Sequence, residues 1–423
     1  MLRFLLLALL LAASSAAAQT PAFDVEATYN YGSPVTHTAF LVQPDGAFVA
    51  RGFVRDAGGS NLCTAFLPVT GAGTRFMWLP CRGAVRFGRA PVGPGSTTWD
   101  DANMDDFTFA GGNQVTASGY GAFAYGDQVN VSSTVGVGFG SGIEVSGTAG
   151  FSAGASNVCS GFACTAIGYT TSASGQGSTA LGYRTHARGD YTTALGYRAQ
   201  TCTTSLSTGS TACSGTTYTG GFIFGDEGTV NFVHPTADNQ FVVRAEGGVR
   251  FYTNGNNTSS TSPYVPSAGV FLTAGGSAWN VVSDRARKEA FAPVDGEALL
   301  AGLAQLPVTT WRYLAEEDRS VRHIGPMAQD WQRLVAGPLA LNADSTTINQ
   351  GDFDGVNLMA AIALEARTRD LTAEVDALRA EVATLRATLS AERADAGARL
   401  ARLEALLAPA TTPGTSVAAR AAD

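Results

Sequence analysis

A glycine recurs every fourteen residues through the middle of the chain, and this spacing limits the possible folds more than any other feature of the sequence. The residue two places before each glycine is small, and a mostly apolar residue stands between them, as in the last three copies, TAIGY, TALGY and TALGY. Seven copies remain in phase: Gly112, Gly126, Gly140, Gly154, Gly168, Gly182 and Gly196. This regularity indicates a structural repeat rather than a low-complexity linker.

Each fourteen-residue unit predicts a short strand followed by a polar turn. The alternation of small, apolar and glycine residues has the period of two that is typical of a strand, and the Ser/Thr/Gly-rich spacer is a turn signal. A unit of this size cannot bury a core by itself, so neighbouring units must stack into a solenoid. So thin a solenoid leaves much apolar surface uncovered, and three chains side by side would bury more of it. We therefore predict a homotrimer.

The repeats resemble a known class of surface protein. A further copy, Phe222–Gly225, follows an insertion that we expect to loop out. The period and the A-x-G-Y core of residues 108–230 resemble the head repeats of trimeric autotransporter adhesins. The resemblance implies a left-handed parallel β-roll whose interior holds small residues, and an assembly of three chains.

The segments on either side of the repeats also predict β structure. Residues 19–107 alternate apolar and polar residues between Gly, Pro and Asp turns, which predicts an N-terminal β domain. Residues 231–282 carry strand patterns around a Gly-Gly turn and predict a β stalk. The segment DDANMDD contains four acidic residues, Asp100, Asp101, Asp105 and Asp106. This cluster is best explained as a solvated turn or a cation-binding loop.

The first eighteen residues predict a signal peptide. Arg3 is followed by the apolar run from Phe4 to Ala13 and by an A-x-A cleavage site at residues 16–18. We therefore expect a secreted or cell-surface protein with no membrane span once the signal is removed. The formal net charge of −8 gives no basic footprint for nucleic acid.

Six cysteines fall into three local couples, which an exported protein is expected to use as disulfides. Six cysteines allow fifteen connectivities, and we predict that neighbours pair. The couples are Cys63 with Cys81, Cys159 with Cys164, and Cys202 with Cys213. The chain has no C-x-x-C pair, and its four histidines lie far from these couples, so we predict no metal site and no cofactor.

The stretch VVSDRARKEA contains the only lysine of the chain, Lys288, while every other basic residue is arginine. Ser283 lies five residues before it, and a serine hydroxyl needs a nearby base to act as a nucleophile. A neutral lysine can accept that proton, provided that burial or a cationic neighbour lowers the pKa of its amine from about 10.4. Arginine stays protonated and cannot replace it. The pair therefore predicts a Ser-Lys dyad, with an ordinary surface lysine as the alternative.

Around this dyad the chain resembles the endosialidase-type intramolecular chaperone domains that end phage tailspikes and tail fibres and cut themselves off after assembly. The matching segments are SDRARK from Ser283, LP at residues 306–307, WRY at 311–313, HIGPMAQDW at 323–331 and DGVNLMAAI at 354–362. The resemblance implies a chaperone core at residues 283–363.

The resemblance also implies a self-cleavage reaction. Ser283 would be the nucleophile, Lys288 the general base and Val282-Ser283 the scissile bond. Some relatives have Asn after the serine, where this chain has Asp284, and that carboxylate could assist or could tether a charged Lys288. His323 matches a family position whose role is catalytic or structural.

The C-terminal part predicts a coiled coil at residues 364–408, followed by a disordered tail at residues 409–423. Apolar residues are spaced 4-3-4-3-4, with an eleven-residue step before the seam resumes. Val at a with Leu at d favours two strands in isolated peptides, but we expect the preceding domains to impose three. The seam residues are Leu371, Val375, Leu378, Val382, Leu385 and Leu389, then Leu400, Leu403 and Leu407.

The predicted fold is mainly β: a trimeric left-handed parallel β-roll fibre with an N-terminal β domain, followed by an α+β chaperone domain that ends in a coiled coil. Two functions fit this prediction. The first is an exported, adhesin-like fibre with an unidentified extracellular ligand, whose chaperone domain drives assembly and then cuts itself off. The alternative is a glycan-binding or glycan-degrading spike with a non-cleaving trimerisation domain. A spike that degrades glycans would need paired carboxylates in a cleft.

Overall fold

The computed structural model describes residues 23–30, 34–42, 48–50, 71–90, 97–100, 103–204, 214–256, 265–341 and 344–407. The predicted signal peptide, the C-terminal tail, Cys63, Cys213 and Asp101 lie outside these ranges. The chain divides into two compact units, Met1–Ser283 and Asp284–Asp423.

The first unit is built from strands. In chain order they are β1 Phe23–Asn30, β2 Pro34–Val42, β3 Phe48–Ala50, β4 Gly73–Leu79, β5 Ala84–Ala90, β6 Phe109–Asn113, β7 Thr116–Ala117, β8 Phe123–Asp127, β9 Asn130–Val131, β10 Val137–Ser141, β11 Glu144–Val145, β12 Phe151–Ala155, β13 Val158–Cys159, β14 Thr165–Tyr169, β15 Ser172–Ala173, β16 Thr179–Tyr183, β17 His186–Ala187, β18 Thr193–Tyr197, β19 Cys202–Thr204, β20 Ser214–Thr217, β21 Phe222–Gly225, β22 Phe241–Arg244, β23 Val249–Asn256, β24 Val265–Leu272 and β25 Asn280–Val281.

The fourteen-residue repeats form a β-solenoid, as predicted. Each of the seven coils contributes one five-residue strand to an eleven-stranded sheet, and the first six also contribute one two-residue strand to a six-stranded sheet. Neighbouring coils pair in parallel without a register shift, so that Gly140 lies opposite Gly154, and Ala166 opposite Ala180. The large sheet extends beyond the predicted range 108–230 at both ends, because the hairpin β4–β5 pairs with β6 and β22 pairs with β21.

The interior of the solenoid is lined by small residues. On the long strands these are Ala110, Ala124, Gly138, Ser152, Ala166, Ala180 and Ala194, and on the short strands Ala117, Val131, Val145, Cys159, Ala173 and Ala187. A Cβ atom on Gly138 would lie 2.9 Å from Val131 Cγ2 and 3.0 Å from Val129 Cγ1. The two sheets are thus close enough that the interior excludes large side chains on the long strands of these seven coils, β6 to β18.

The repeated glycines are required by the close approach of successive coils. Gly140 has a φ of +126°, and a Cβ atom there would lie 1.9 Å from the carbonyl oxygen of Gly154. The same clash recurs along the column, for example between Gly168 and the carbonyl oxygen of Gly182. The glycine fixes the strand conformation and lets the next coil come within hydrogen-bonding distance.

A second column of glycines, which was not predicted from the sequence, packs in the same way. A Cβ atom on Gly147 would lie 1.9 Å from the carbonyl oxygen of Gly161, and one on Gly175 would lie 2.0 Å from that of Gly189. The available signal was the dipeptide Ser-Gly at residues 146–147, 160–161 and 174–175. A serine replaces the glycine at residue 133, which interrupts the pattern.

Arg86 closes the first coil of the roll. Its strand position pairs with Ala110, so its fully buried side chain enters the column that alanines occupy elsewhere. The guanidinium donates to the carbonyl oxygens of Val85, Thr108 and Ala117 and to the Thr108 hydroxyl, at 2.7–3.1 Å. Burial, with a smaller effect from Arg82, lowers the pKa of Arg86 to about 10, so the group remains charged at neutral pH.

Replacing Arg86 by leucine is expected to destabilise the roll by about 3 kcal/mol, because buried carbonyl oxygens lose their donors. Thermal unfolding of the full chain, followed by circular dichroism, measures the change. Arg89→Leu on the same strand is the control, since the Arg89 side chain is exposed and should change stability little. Equal melting temperatures of the two variants would contradict the capping role.

Cys159 and Cys164 form a disulfide, as predicted. Both residues are buried. The bond links the end of the short strand β13 to the residue before the long strand β14, across one turn. Cys81 and Cys202 are also disulfide-bonded. Their predicted partners, Cys63 and Cys213, lie outside the described residues, so those two pairings stay predictions.

The double variant Cys159→Ala, Cys164→Ala is expected to lose about 2 kcal/mol, the chain-entropy contribution of a loop of this length. The alanines fit, because other coils already place Ala173 and Ala122 in these columns. Melting temperatures of the oxidised wild type and the variant measure the effect. Brief reductant treatment of the folded wild type is the control, and should leave the buried bond intact. A variant that melts with the wild type would show that the bond adds no stability.

Two smaller sheets come after the seventh coil along the chain. The inserted segment carries the antiparallel pair β19–β20. The stalk is an antiparallel three-stranded sheet in the order β23-β24-β25. Its last strand ends directly before the predicted cleavage site.

The second unit contains the strand pair β26 Thr309–Trp311 and β27 His323–Gly325, and the helices α1 Gly296–Leu303, α2 Ala328–Trp331 and α3 Gln350–Leu407. A 3-10 turn spans Arg285–Arg287 and a π-helical turn spans Gln332–Ala336, while in the first unit Pro80–Arg82 is 3-10. The core consists of Leu299, Trp331, Val335, Ala336 and Val356.

Helix α3 begins at Gln350, ahead of the predicted start at residue 364. Every residue from Arg367 to Leu407 is exposed in the single chain, including the predicted seam. The helix fits the predicted coiled-coil end. Within the described part of the chain, no helix has the length and apolar character needed to cross a membrane.

Candidate functional site

The predicted scissile bond follows the last strand of the first unit. Residues Asn280 and Val281 pair with β24, and the amide of Val282 donates to the carbonyl oxygen of Gly269 at 3.1 Å. Ser283 is the last residue of the first unit and Asp284 the first of the second. The boundary between the two compact units therefore lies one residue beyond the predicted cut.

Asp284 caps the 3-10 turn that leads to Lys288. Its carboxylate accepts from the Ala286 amide at 3.0 Å and from Arg287 Nε at 3.2 Å. These hydrogen bonds, first that of Ala286 and then that of Arg287, hold the pKa of Asp284 below its usual value. The backbone amide of Lys288 closes the same turn by donating to the carbonyl oxygen of Arg285. Asp284 thus shapes the segment between the two predicted catalytic residues.

Ser283 and Lys288 are both exposed in the single chain. They belong to different compact units, so their pairing in a dyad stays a prediction from the sequence. The assisting role of Asp284 also stays a prediction, although its contacts to Ala286 and Arg287 show what holds its carboxylate in place.

His323 lies in an aromatic cluster of the second unit. It is opposite Trp311 in the β26–β27 pair, with ring centroids 4.9 Å apart, and its ring is 5.3 Å from that of Tyr313. Its Nε2 atom is 3.2 Å from both carboxylate oxygens of Glu316. Glu316 cannot be recognised from the sequence, because its contact with His323 depends on the hairpin. The role of His323 in cleavage stays a prediction.

The described residues of the acidic cluster before the repeats make contacts within the first unit. Asp100 accepts from the Gly71 amide at 3.0 Å, Asp105 from the Asp106 amide at 2.8 Å, and Asp106 is 3.3 Å from Arg82 Nη1. No cluster of potential metal ligands occurs among the described residues. These contacts favour the structural interpretation of the cluster over paired catalytic carboxylates.

The outer face of the large sheet is apolar and only partly covered within one chain. Tyr125 is 48% exposed, Phe139 37% and Leu181 38%. Phe109 and Phe123 stack at a centroid distance of 4.4 Å, and Tyr169, Tyr183 and Tyr197 stack at 5.3 Å. Together with the exposed seam of α3, this face provides the surfaces through which copies of the chain could associate.

Two protein-family models match parts of the chain. Residues 283–337 match the model described as chaperone of endosialidase, and residues 165–185 and 173–199 match two copies of the YadA head domain repeat. Both matches agree with the resemblances noted in the sequence. No curated protein matches the chain.

Proposed function

We propose that this chain is an exported, adhesin-like homotrimeric fibre protein whose C-terminal chaperone domain directs assembly and then separates by self-cleavage at Val282-Ser283. The proposal rests on the agreement between the start of the family match and the boundary between the two units. The match to the endosialidase chaperone begins at residue 283, and the division into compact units falls between residues 283 and 284. A separable helper domain would be expected to divide from the fibre at this point.

The apolar outer face of the roll and the seam of α3 support the trimer. Half-exposed aromatic and aliphatic columns run along consecutive coils, and such patches on an extended protein mark surfaces of association. Leu378 and Leu385 are 52% and 60% exposed, on a part of α3 where every residue is exposed among the residues that the structure describes. A bundle of three helices would bury the seam and fix the register of the chains before the slow, non-local pairing of the fibre begins.

The cleavage reaction assigns one role to each residue. The Lys288 amine takes the proton of the Ser283 hydroxyl, and Ser283 Oγ attacks the carbonyl carbon of Val282. The bond between Val282 C and Ser283 N then breaks, the nitrogen gains a proton, and the Val282 acyl group remains as an ester on Ser283 Oγ. Water hydrolyses the ester to give a Val282 carboxylate and a fragment that begins with Ser283.

Assembly would activate this reaction. Lys288 is exposed in one chain, and removing water from around it in the trimer would favour the neutral amine that a general base must be. Cleavage would thus follow trimer formation. After release the fibre has lost the domain that guides assembly, and its stability becomes kinetic.

Exported wild-type protein tests the proposal. Intact-mass spectrometry should find one fragment that ends at Val282 and one that begins at Ser283, and light scattering should give the mass of three fibre chains. A trimer of uncut chains would support the alternative of a non-cleaving trimerisation domain. A monomer would contradict the fibre itself.

A further inference from the structure

The three residues before the predicted cut are held in the stalk sheet. Val281 lies opposite Val270, and Asn280 opposite Phe271, in the antiparallel pair β24–β25. The Val282 amide then donates to the carbonyl oxygen of Gly269. The backbone on the acyl side of the bond is therefore paired up to the residue whose carbonyl carbon would be attacked.

Gly269 provides the carbonyl oxygen that holds Val282, and no other residue fits at this position. Its φ is +148°, and a Cβ atom would lie 2.3 Å from the carbonyl oxygen of Phe251 and 2.9 Å from the Tyr252 Cα atom on β23. Only glycine lets β24 approach β23 so closely here. The position of this carbonyl oxygen thus depends on the β23–β24 pairing.

A second contact holds the start of β25. The Trp279 ring lies 5.7 Å from that of Phe251, and the Asn280 side-chain amide donates to the carbonyl oxygen of Phe271 at 3.3 Å. The last residues of the fibre are therefore fixed against β23 and β24 by ring packing and by hydrogen bonds.

Fixing a reacting group in this way accelerates an intramolecular reaction. Attack by a hydroxyl on a neighbouring carbonyl carbon requires a narrow range of backbone angles, and a flexible segment adopts them only part of the time. A strand hydrogen bond at Val282 restricts the backbone on the acyl side. Release of the bond from the sheet would leave this carbonyl group free to rotate.

We propose that the stalk sheet is the acyl-side binding site of the self-cleavage reaction, with Gly269 and Trp279 as positioning residues. This inference rests on the proposed function. It adds a checkpoint, because the bond reaches its reactive conformation only when β25 has docked on a folded β23–β24 hairpin. A chain with an unfinished stalk would keep its chaperone domain.

The Gly269→Ala variant of the full chain tests the checkpoint. Time courses on denaturing gels should show cleavage at least tenfold slower than in the wild type, because the added methyl group displaces the carbonyl oxygen that holds Val282. The matched control is Gly275→Ala in the following turn, where φ is +69° and a Cβ atom meets nothing within 4 Å. The control should cleave within about twofold of the wild type.

A second pair of variants decides the matter if Gly269→Ala fails to fold. Trp279→Ala should slow cleavage, and Trp279→Phe should restore it, since an aromatic ring can again pack on Phe251. The pH dependence of the rate should keep its midpoint in both, because the base is untouched. Wild-type cleavage rates in Trp279→Ala would overturn the inference while leaving self-cleavage intact. An uncut wild type would instead overturn the proposed function.

Discussion

The Ser283→Ala variant is expected to remain a single uncut chain. Loss of the attacking hydroxyl removes the ester route entirely, so the cleavage rate should fall by at least about 1000-fold. The trimer should still form, because the exposed seam of α3 and the outer face of the roll are unchanged. Denaturing gels and intact mass, taken over several days after purification, measure cleavage, and light scattering measures trimer formation.

Controls for this prediction come from the same segment. Ser277→Ala removes an exposed serine before β25 and should cleave normally. Lys288→Arg keeps the positive charge but cannot accept a proton, so it should fail like Ser283→Ala. Arg285→Lys should cleave normally, because it changes a basic residue three positions before the predicted base and leaves the base itself intact. Efficient cleavage in Lys288→Arg would contradict the dyad.

The Gly140→Ala variant is expected to destabilise the roll by about 3 kcal/mol or more, which would lower the melting temperature by about 6–12 °C. The methyl group would lie 1.9 Å from the carbonyl oxygen of Gly154, and the residue would hold a φ of +126°. The neighbouring coils must separate or the strand must change conformation. Thermal unfolding of the full chain, followed by circular dichroism, measures the loss.

Gly142 offers a matched control two residues away. Its φ is +62°, and a Cβ atom there would come no closer than 3.8 Å to any atom. The same corner of other coils holds Gln114, Gln128, Ser156, Thr170, Arg184 and Arg198, each with a positive φ. Gly142→Gln should therefore melt close to the wild type. Similar losses in the two variants would show that coil contacts do not set the glycine requirement.

The solenoid could be predicted because its information is local and repeated. The spacing of the glycines and the alternation around Ala166 and Ala180 determine the strand, the turn and the interior column. The family matches confirm the two resemblances that this reasoning used. The second glycine column carries the same information, but Ser133 hides its period.

The ends of the roll and the surroundings of the cleavage site could not be predicted, because they depend on contacts between distant parts of the chain. Nothing local indicates that Arg86 enters an alanine column or that β4–β5 joins the large sheet. The Glu316 contact to His323 and the hydrogen bond from Val282 to Gly269 likewise appear only after the strands have paired. Ser283 and Lys288 were found by residue type and motif, and their joint geometry remains a prediction.

The corner residues of the coils can vary in side chain, whereas the repeated glycines cannot. Each coil turns at a left-handed position that accepts residues as different as Gln128, Ser156 and Arg198, while a Cβ atom on the nearby glycine column would clash with the next coil. Duplication of a whole fourteen-residue unit would keep the strand pairing between neighbouring coils and lengthen the fibre by one coil. Selection can therefore vary the reach and the surface chemistry of such a protein independently of its stability.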